Sequence, residues 1–145
     1  MWIRFSNPKH KRGDFASFFN LLMSKFITIE NKNRRITGPL RIKYCDTFFT
    51  QLLGLSFRSR LRREEGLVLV AKRDSRVDSS IHMFFVPFDL SVIWINSAMQ
   101  VVDKVLAKSW RPAYFSKQPA KYALEIHPGR WGEFEVGDGV EFRDA

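Results

Sequence analysis

His82 and Asp89 are the only titratable side chains in the segment running from Ser79 to Asn96, SSIHMFFVPFDLSVIWIN. A carboxylate that holds an imidazole in one orientation is what a general base or a metal-assisting dyad requires. A single histidine in an apolar segment is more often a satisfied core or pocket residue. Asp89 is the more constrained of the two, because an unpaired carboxylate in apolar surroundings is costly. It needs a donor, and Arg58 or Arg111 would supply one with bidentate geometry. A structural ion pair is the favoured reading, and a catalytic pair is the alternative.

Other residues extend the set. Glu125 interrupts the apolar stretch ALEI, and period-two alternation places it opposite Leu124 and Ile126, on a wet face or lining a cavity. Trp110 beside Arg111 offers an aromatic wall on which a planar or sugar-like ligand would stack, or a plug for the mouth of a barrel. Arg58, His82, Met83, Asp89, Trp110, Arg111 and Glu125 are thus the candidate ligand-binding residues, with His82 and Asp89 the candidate catalytic ones. Cys45 is the single cysteine, and His10, His82 and His127 do not form a cluster at zinc spacing, so neither a metal nor a cofactor is expected. The turn Gly137-Asp138-Gly139 leads into a strand, not a helix, and is not a phosphate loop. Ser56, Ser79 and Ser80 lack a nucleophile-elbow context.

The elements that must position these residues are mainly strands. Pro87 cannot donate to a ladder, so the 79–96 segment reads as two strands broken at Val86-Pro87-Phe88, with His82 and Asp89 on separate strands and both faces buried. FITIE and RRITGPLRIKYC read as a strand pair joined near Asn31–Asn33 and disturbed at Gly38-Pro39. LVLVA, LSVIWI, MQVVDKVLA, KYALEI and the GDGVEF end supply further strands, with Asn96-Ser97-Ala98 as a hairpin turn. Phe48, Phe49, Leu52 and Leu53 form the stripe of a short helix capped by Asp46 or Thr47, and FRSRLRREEG after it reads as a charged, exposed linker. The expected fold is mainly β: a small antiparallel barrel-like or strongly curved sheet with one or two short helices.

At 145 residues the length suits one domain that needs no disulfide. No stretch reaches the roughly 18 apolar residues of a membrane-spanning helix. The net charge of +9 is uneven: residues 1–63 carry 14 Lys and Arg against 3 Asp and Glu, whereas residues 64–145 carry 10 against 12. This basic half would meet an anionic membrane surface or nucleic acid, or serve as solvated charge, the commoner case. Residues 1–25 form a basic lead followed by an amphipathic helix, with Asp14 as cap and Phe15, Phe18, Phe19, Leu22, Met23 and Phe26 on one face. That part is expected to be poorly ordered or to precede a true start at Met23, leaving the domain at 26–145.

Seven blocks, GLSFR (54–58), GLVLV (66–70), SIHMFFVPFDLSVIWIN (80–96), VVDKV (101–105), SWRP (109–112), ALEIHPG (123–129) and GDGV (137–140), are similar in order and spacing to the DUF192 family, also called UPF0127. The resemblance runs from about Thr28 to Phe142. It implies a mainly antiparallel, barrel-like β fold with a short helix before the GL-x-FR block, and it implies no reaction. Thr50-Gln51-Leu52-Leu53 stands where many members have a Glu-Arg pair. His82-Met83-Phe84-Phe85-Val86 stands where another form has Trp-Met-Lys-Asn-Thr, so the chain resembles the His-containing subgroup. Many relatives are exported or lipid-anchored, but the chain has no clear export signal and a cytoplasmic location is expected. The functional expectation is a non-enzymatic module that binds a small ligand or a partner segment. The alternatives are an enzyme with a His/carboxylate acid–base pair and a binder of an anionic partner.

Overall fold

Seven segments in which β-branched and aromatic residues recur at period two become strands: β1 (Lys25–Asn31), β2 (Arg41–Cys45), β3 (Glu65–Ser75), β4 (Leu90–Ile95), β5 (Val101–Ala107), β6 (Ala120–Ile126) and β7 (Val140–Asp144). They are seen in a computed structural model that describes residues 25–47, 55 and 59–145. The expected helices lie outside the described residues over 14–24 and 48–53, as does Arg58, and Phe26, expected on the first helix's apolar stripe, is in β1. Within them the one helical element is a 3-10 turn, Pro128–Glu133, with Pro128 pre-set for its first position and the His127 imidazole accepting from the Gly129 amide.

The strands form one sheet in the order β5-β4-β6-β3-β2-β1-β7. It is mixed rather than wholly antiparallel: β2 and β3 pair in parallel, from Arg41 opposite Glu65 to Cys45 opposite Leu69, and every other pair is antiparallel. The sheet is not closed into a barrel. Its two edges are nevertheless stitched at one end, where Val101 donates to the Asp138 carbonyl (2.9 Å) and Gly137 to the Val101 carbonyl (2.8 Å).

Alternation sorts the apolar residues onto two faces. One face gathers side chains from all seven strands, among them Ile27, Ile42, Val68, Ile93, Val101, Leu124 and Val140, and Phe134 from beside the 3-10 turn fills it. The sheet curls around this cluster. The opposite face carries Cys45, Leu67, Val92, Trp94 and Ala123, and loops cover it. The register explains why. Both β3 and β4 run antiparallel to β6, which lies between them, so the connection 76–89 must cross the sheet from one end to the other. By the same logic the connection 108–119, from β5 to β6, crosses back alongside it.

This corrects the reading of 79–96 as two strands carrying His82 and Asp89: residues 79–86 are not a strand, and Asp89 lies just before β4. Only β4 is a buried strand, with all six residues inside. The preceding part is a crossing loop whose one isolated β-bridge joins Ile81 to Tyr114. Ile81, Met83 and Val86 point down onto the sheet, and His82, Phe84 and Phe85 point out. The expected exposed linker is likewise pinned, because Leu61 is buried in the same loop-covered cluster.

Candidate functional site

The two crossing loops are bound to each other along their length. Ile81 donates to the Tyr114 carbonyl (3.0 Å) and Tyr114 back to Ile81 (2.9 Å), Met83 donates to the Arg111 carbonyl (3.0 Å), and Trp110 donates to the Val86 carbonyl (3.3 Å). Beneath them, Trp94 donates its indole N–H to the Ser79 carbonyl (2.8 Å). Such bonds are worth about 1 kcal/mol each in net stability, and together they hold two irregular segments as one plate.

Asp89 fastens one end of this plate. Its carboxylate accepts from the Ser109 amide (2.9 Å) and from the Lys108 ammonium (3.3 Å). The Ser109 amide, seconded by Lys108, holds the Asp89 carboxyl below the usual carboxylate range against a smaller opposing effect of burial. The donors that Asp89 has among the described residues are thus Ser109 and Lys108, not Arg111, and Arg58 lies outside those residues. No hydrogen bond joins His82 to Asp89 among the described residues, and the His82 ring lies exposed against Phe84, with centroids 5.7 Å apart. The acid–base dyad is not assembled, because the orienting partner is committed elsewhere. Because the folded state depresses the Asp89 pKa, its contribution is present at neutral pH and is lost as pH falls through the carboxylate range. Asp89→Ala is expected to lower stability by about 1 kcal/mol at pH 7, and to change it less at pH 3, in urea titrations.

Trp110 and Arg111 lie beside the His82 loop through the Trp110–Val86 and Met83–Arg111 bonds. The outer surface of the plate is aromatic. Among the described residues, five of the seven large apolar side chains that stay exposed sit on these two loops: Val77, Phe84 (48%), Phe85 (50%), Trp110 (55%) and Phe115 (52%). Phe85 and Trp110 meet edge to face, with centroids 5.7 Å apart and planes at 71°. Both have left-handed backbones, with φ of 58° and 63°. That conformation disfavours any side chain and most of all a bulky one, by about 1–2 kcal/mol. Two adjacent exposed aromatics are thus held where glycine would sit more comfortably. Glycine at either position is expected to leave stability within about 1 kcal/mol of the parent protein, since relieved strain offsets the lost ring contact; calorimetry would show it.

The remaining candidates separate from this surface. Met83 is fully buried under the loops. Glu125 sits in the middle of β6, in register with Leu67 on one side and Val92 on the other, on the loop-covered face. It is 5% exposed, and burial pushes its carboxyl up to about 8. Of the wet-face and cavity alternatives for Glu125, the wet face is excluded.

A second polar centre carries no sequence expectation. Arg130, 2% exposed, donates to Glu133 (2.7 Å), to the Pro39 carbonyl (2.9 Å) and to the Arg63 carbonyl. Glu133 also accepts from the Thr37 amide (3.1 Å). Nearby, Asp138 of the GDG turn accepts from Asn31 (2.8 Å), Arg34 (2.8 Å) and the Glu135 amide (2.8 Å), which keep its carboxyl low despite burial. The i,i+3 spacing of Arg130 and Glu133 after Pro128 was the one local signal for the first of these. Beside them lies a cleft of about 470 Å³ lined by residues 28–31, 34–36 and 38–40.

Comparison with known proteins agrees with this architecture. The family described as Uncharacterized ACR, COG1430 (DUF192) matches residues 28–143. A UPF0127 protein from Thermococcus kodakarensis is 37% identical over 99 residues, 68% of this chain, and the chain spans 61% of that relative's length. One from Pyrococcus furiosus is 34% identical over 71% of this chain and 87% of its own. Among solved structures, a protein of unknown function from Novosphingobium aromaticivorans superposes with a TM-score of 0.65 at 22% identity, covering 81% of this chain and 84% of its own. A "putative transcription regulator" from Sinorhizobium meliloti gives 0.68 at 18% identity, covering 82% and 93%. These two share the fold, and none of the described helices is long and apolar enough to cross a membrane. On the match across residues 28–143, the chain belongs to the DUF192, or UPF0127, family.

Proposed function

We propose that the protein is a non-enzymatic binding module, and that the outer surface of the two stitched loops receives a small ligand or a partner segment. The observation that carries this is the pair Phe85 and Trp110, exposed and edge to face on left-handed backbone. Strain of this kind persists only where the surroundings over-determine it, and it collects at functional sites. Clustered exposed aromatic side chains mark contact surfaces. Of the sequence candidates, His82, Asp89, Trp110 and Arg111 belong to this surface, Met83 supports it from below, and Glu125 lies in the sheet.

Titration of nitrogen-15-labelled protein with a fragment library and short peptides tests the reading. Shifts should concentrate on the amides of residues 82–89 and 108–115 and on the Trp110 indole, and Trp110→Gly should abolish them while the remaining spectrum is preserved. Shifts confined to the cleft at residues 28–40 would sink it.

An anionic partner is a second reading, since Arg34 and Arg35 line that cleft. Arg34 is already bonded to Asp138, which weakens the case. The transcription-regulator description of one structural neighbour does not add to it, because the likeness at 18% identity concerns the fold.

A further inference from the structure

We infer that the occupant of the aromatic plate is an acidic protein segment bearing apolar anchor side chains. The inference rests on the binding reading above and names its partner. Charge is the first argument. The carboxylates on the two loops are both taken by cations, Asp78 by Arg73 (3.6 Å) and Asp89 by Lys108 (3.3 Å). The exposed Arg111 guanidinium, next to Trp110 in the chain, has no ion-pair partner among the described residues. A partner meeting Trp110 therefore meets uncompensated positive charge beside it, and complementary acidic groups would be steered there.

Composition is the second argument. Tryptophan, other aromatics and arginine are the residues that dominate the centres of protein interfaces, and here Phe85, Trp110 and Arg111 come together at one spot. Preorganisation is the third. The Trp110 backbone is held by its own N–H to Val86 and flanked by the Met83–Arg111 and Asp89–Ser109 bonds, so the loop that carries the ring does not have to be ordered on binding. A lipid surface accepts aromatic rings in many dispositions and has no use for two strained residues fixed edge to face. A protein segment with its own anchor side chain gains from that fixed shape.

The experiment selects a phage-displayed random peptide library against the intact protein, with counter-selection on Trp110→Gly. Affinities of the selected peptides are then measured for the parent protein, Trp110→Gly and Arg111→Glu. The result expected is a set of peptides combining Asp or Glu with Leu, Phe or Trp, which weaken about 30-fold on Trp110→Gly and about tenfold on Arg111→Glu, and whose binding to the parent falls with salt. Peptides that depend on Trp110 but lack acidic residues, or that ignore Arg111→Glu, would overturn the acidic-segment inference while leaving the binding surface in place. Enrichment that is the same on the parent and Trp110→Gly would overturn both. Vesicles of phosphatidylglycerol in phosphatidylcholine serve as the control. Trp110-dependent binding to them, with no peptide selected, would overturn the inference in favour of a lipid partner.

Discussion

Arg130→Leu is expected to destabilise the protein by about 3–5 kcal/mol, the range found when one partner of a buried ion pair is removed. The guanidinium serves three acceptors, Glu133 and the carbonyls of Pro39 and Arg63, and is itself sealed from water. Its loss strands a buried carboxylate and leaves two carbonyls without that donor. It also unties three parts of the chain at once: the 3-10 turn, the β1–β2 connection and the approach to β3. A domain of this size has about 5–15 kcal/mol to lose, so the variant should show a large drop in the urea midpoint. The double variant Arg130→Leu/Glu133→Leu should recover part of the loss, because the abandoned charge goes with its partner. A single variant with an unchanged midpoint would show that the pair contributes nothing.

The second large effect concerns pH. Glu125 has its folded-state pKa raised to about 8 by burial between β3 and β4. Folding therefore favours the protonated acid. Its stability contribution is intact below the unfolded value near 4.5 and declines as pH rises from there to 8. At about 1.4 kcal/mol per pH unit, the loss by pH 7 is about 3 kcal/mol. Glu125→Gln should remove this slope. Relative to the parent protein it should gain about 3 kcal/mol between pH 4.5 and pH 7.5, in unfolding free energies measured at both. A difference that stays constant with pH would show that Glu125 does not titrate in this window. The carboxylates of Asp89 and Asp138 shift the other way and lose their contribution on acidification. The parent protein is thus expected to be most stable in mildly acidic solution, between the two sets.

The strands that the sequence made legible are those where period-two patterning and turn residues agree. LSVIWI is β4 to the residue, and Asn96-Ser97-Ala98 lies in the hairpin turn before β5. The blocks that carry the family resemblance guided correctly to a mainly β, mostly antiparallel sheet, which is open where a barrel-like one was implied. The Met83–Val86 run was illegible for a definite reason. Apolar side chains without alternation fit a strand buried on both faces, but they also fit a loop that crosses a sheet with some rings down and others out. Choosing between these needs the knowledge that β6 inserts between β3 and β4, which no local pattern in this chain contains. Asp89 was rightly given a need for donors, yet they came from a backbone amide and the neighbouring Lys108, across a contact between loops. Long-range polar contacts such as Arg130 to Pro39 leave no periodic trace at all.

The pairing of β1 with β7 has a consequence for how the protein is made. During synthesis β1 emerges before the other six described strands, and its ladder with β7 stays unmade until residues 140–144 have cleared the ribosome. Five register positions, from Ile27 opposite Asp144 to Asn31 opposite Val140, can form only then. The stitched edge near Val101 also waits for residues 137–140. Until then β1 lacks its β7 partner, and Val140 and Phe142, which join the side chains of the other strands in the curled face, arrive after them. Completion of this sheet waits for β7, whose pairing with β1 is the step that shuts it.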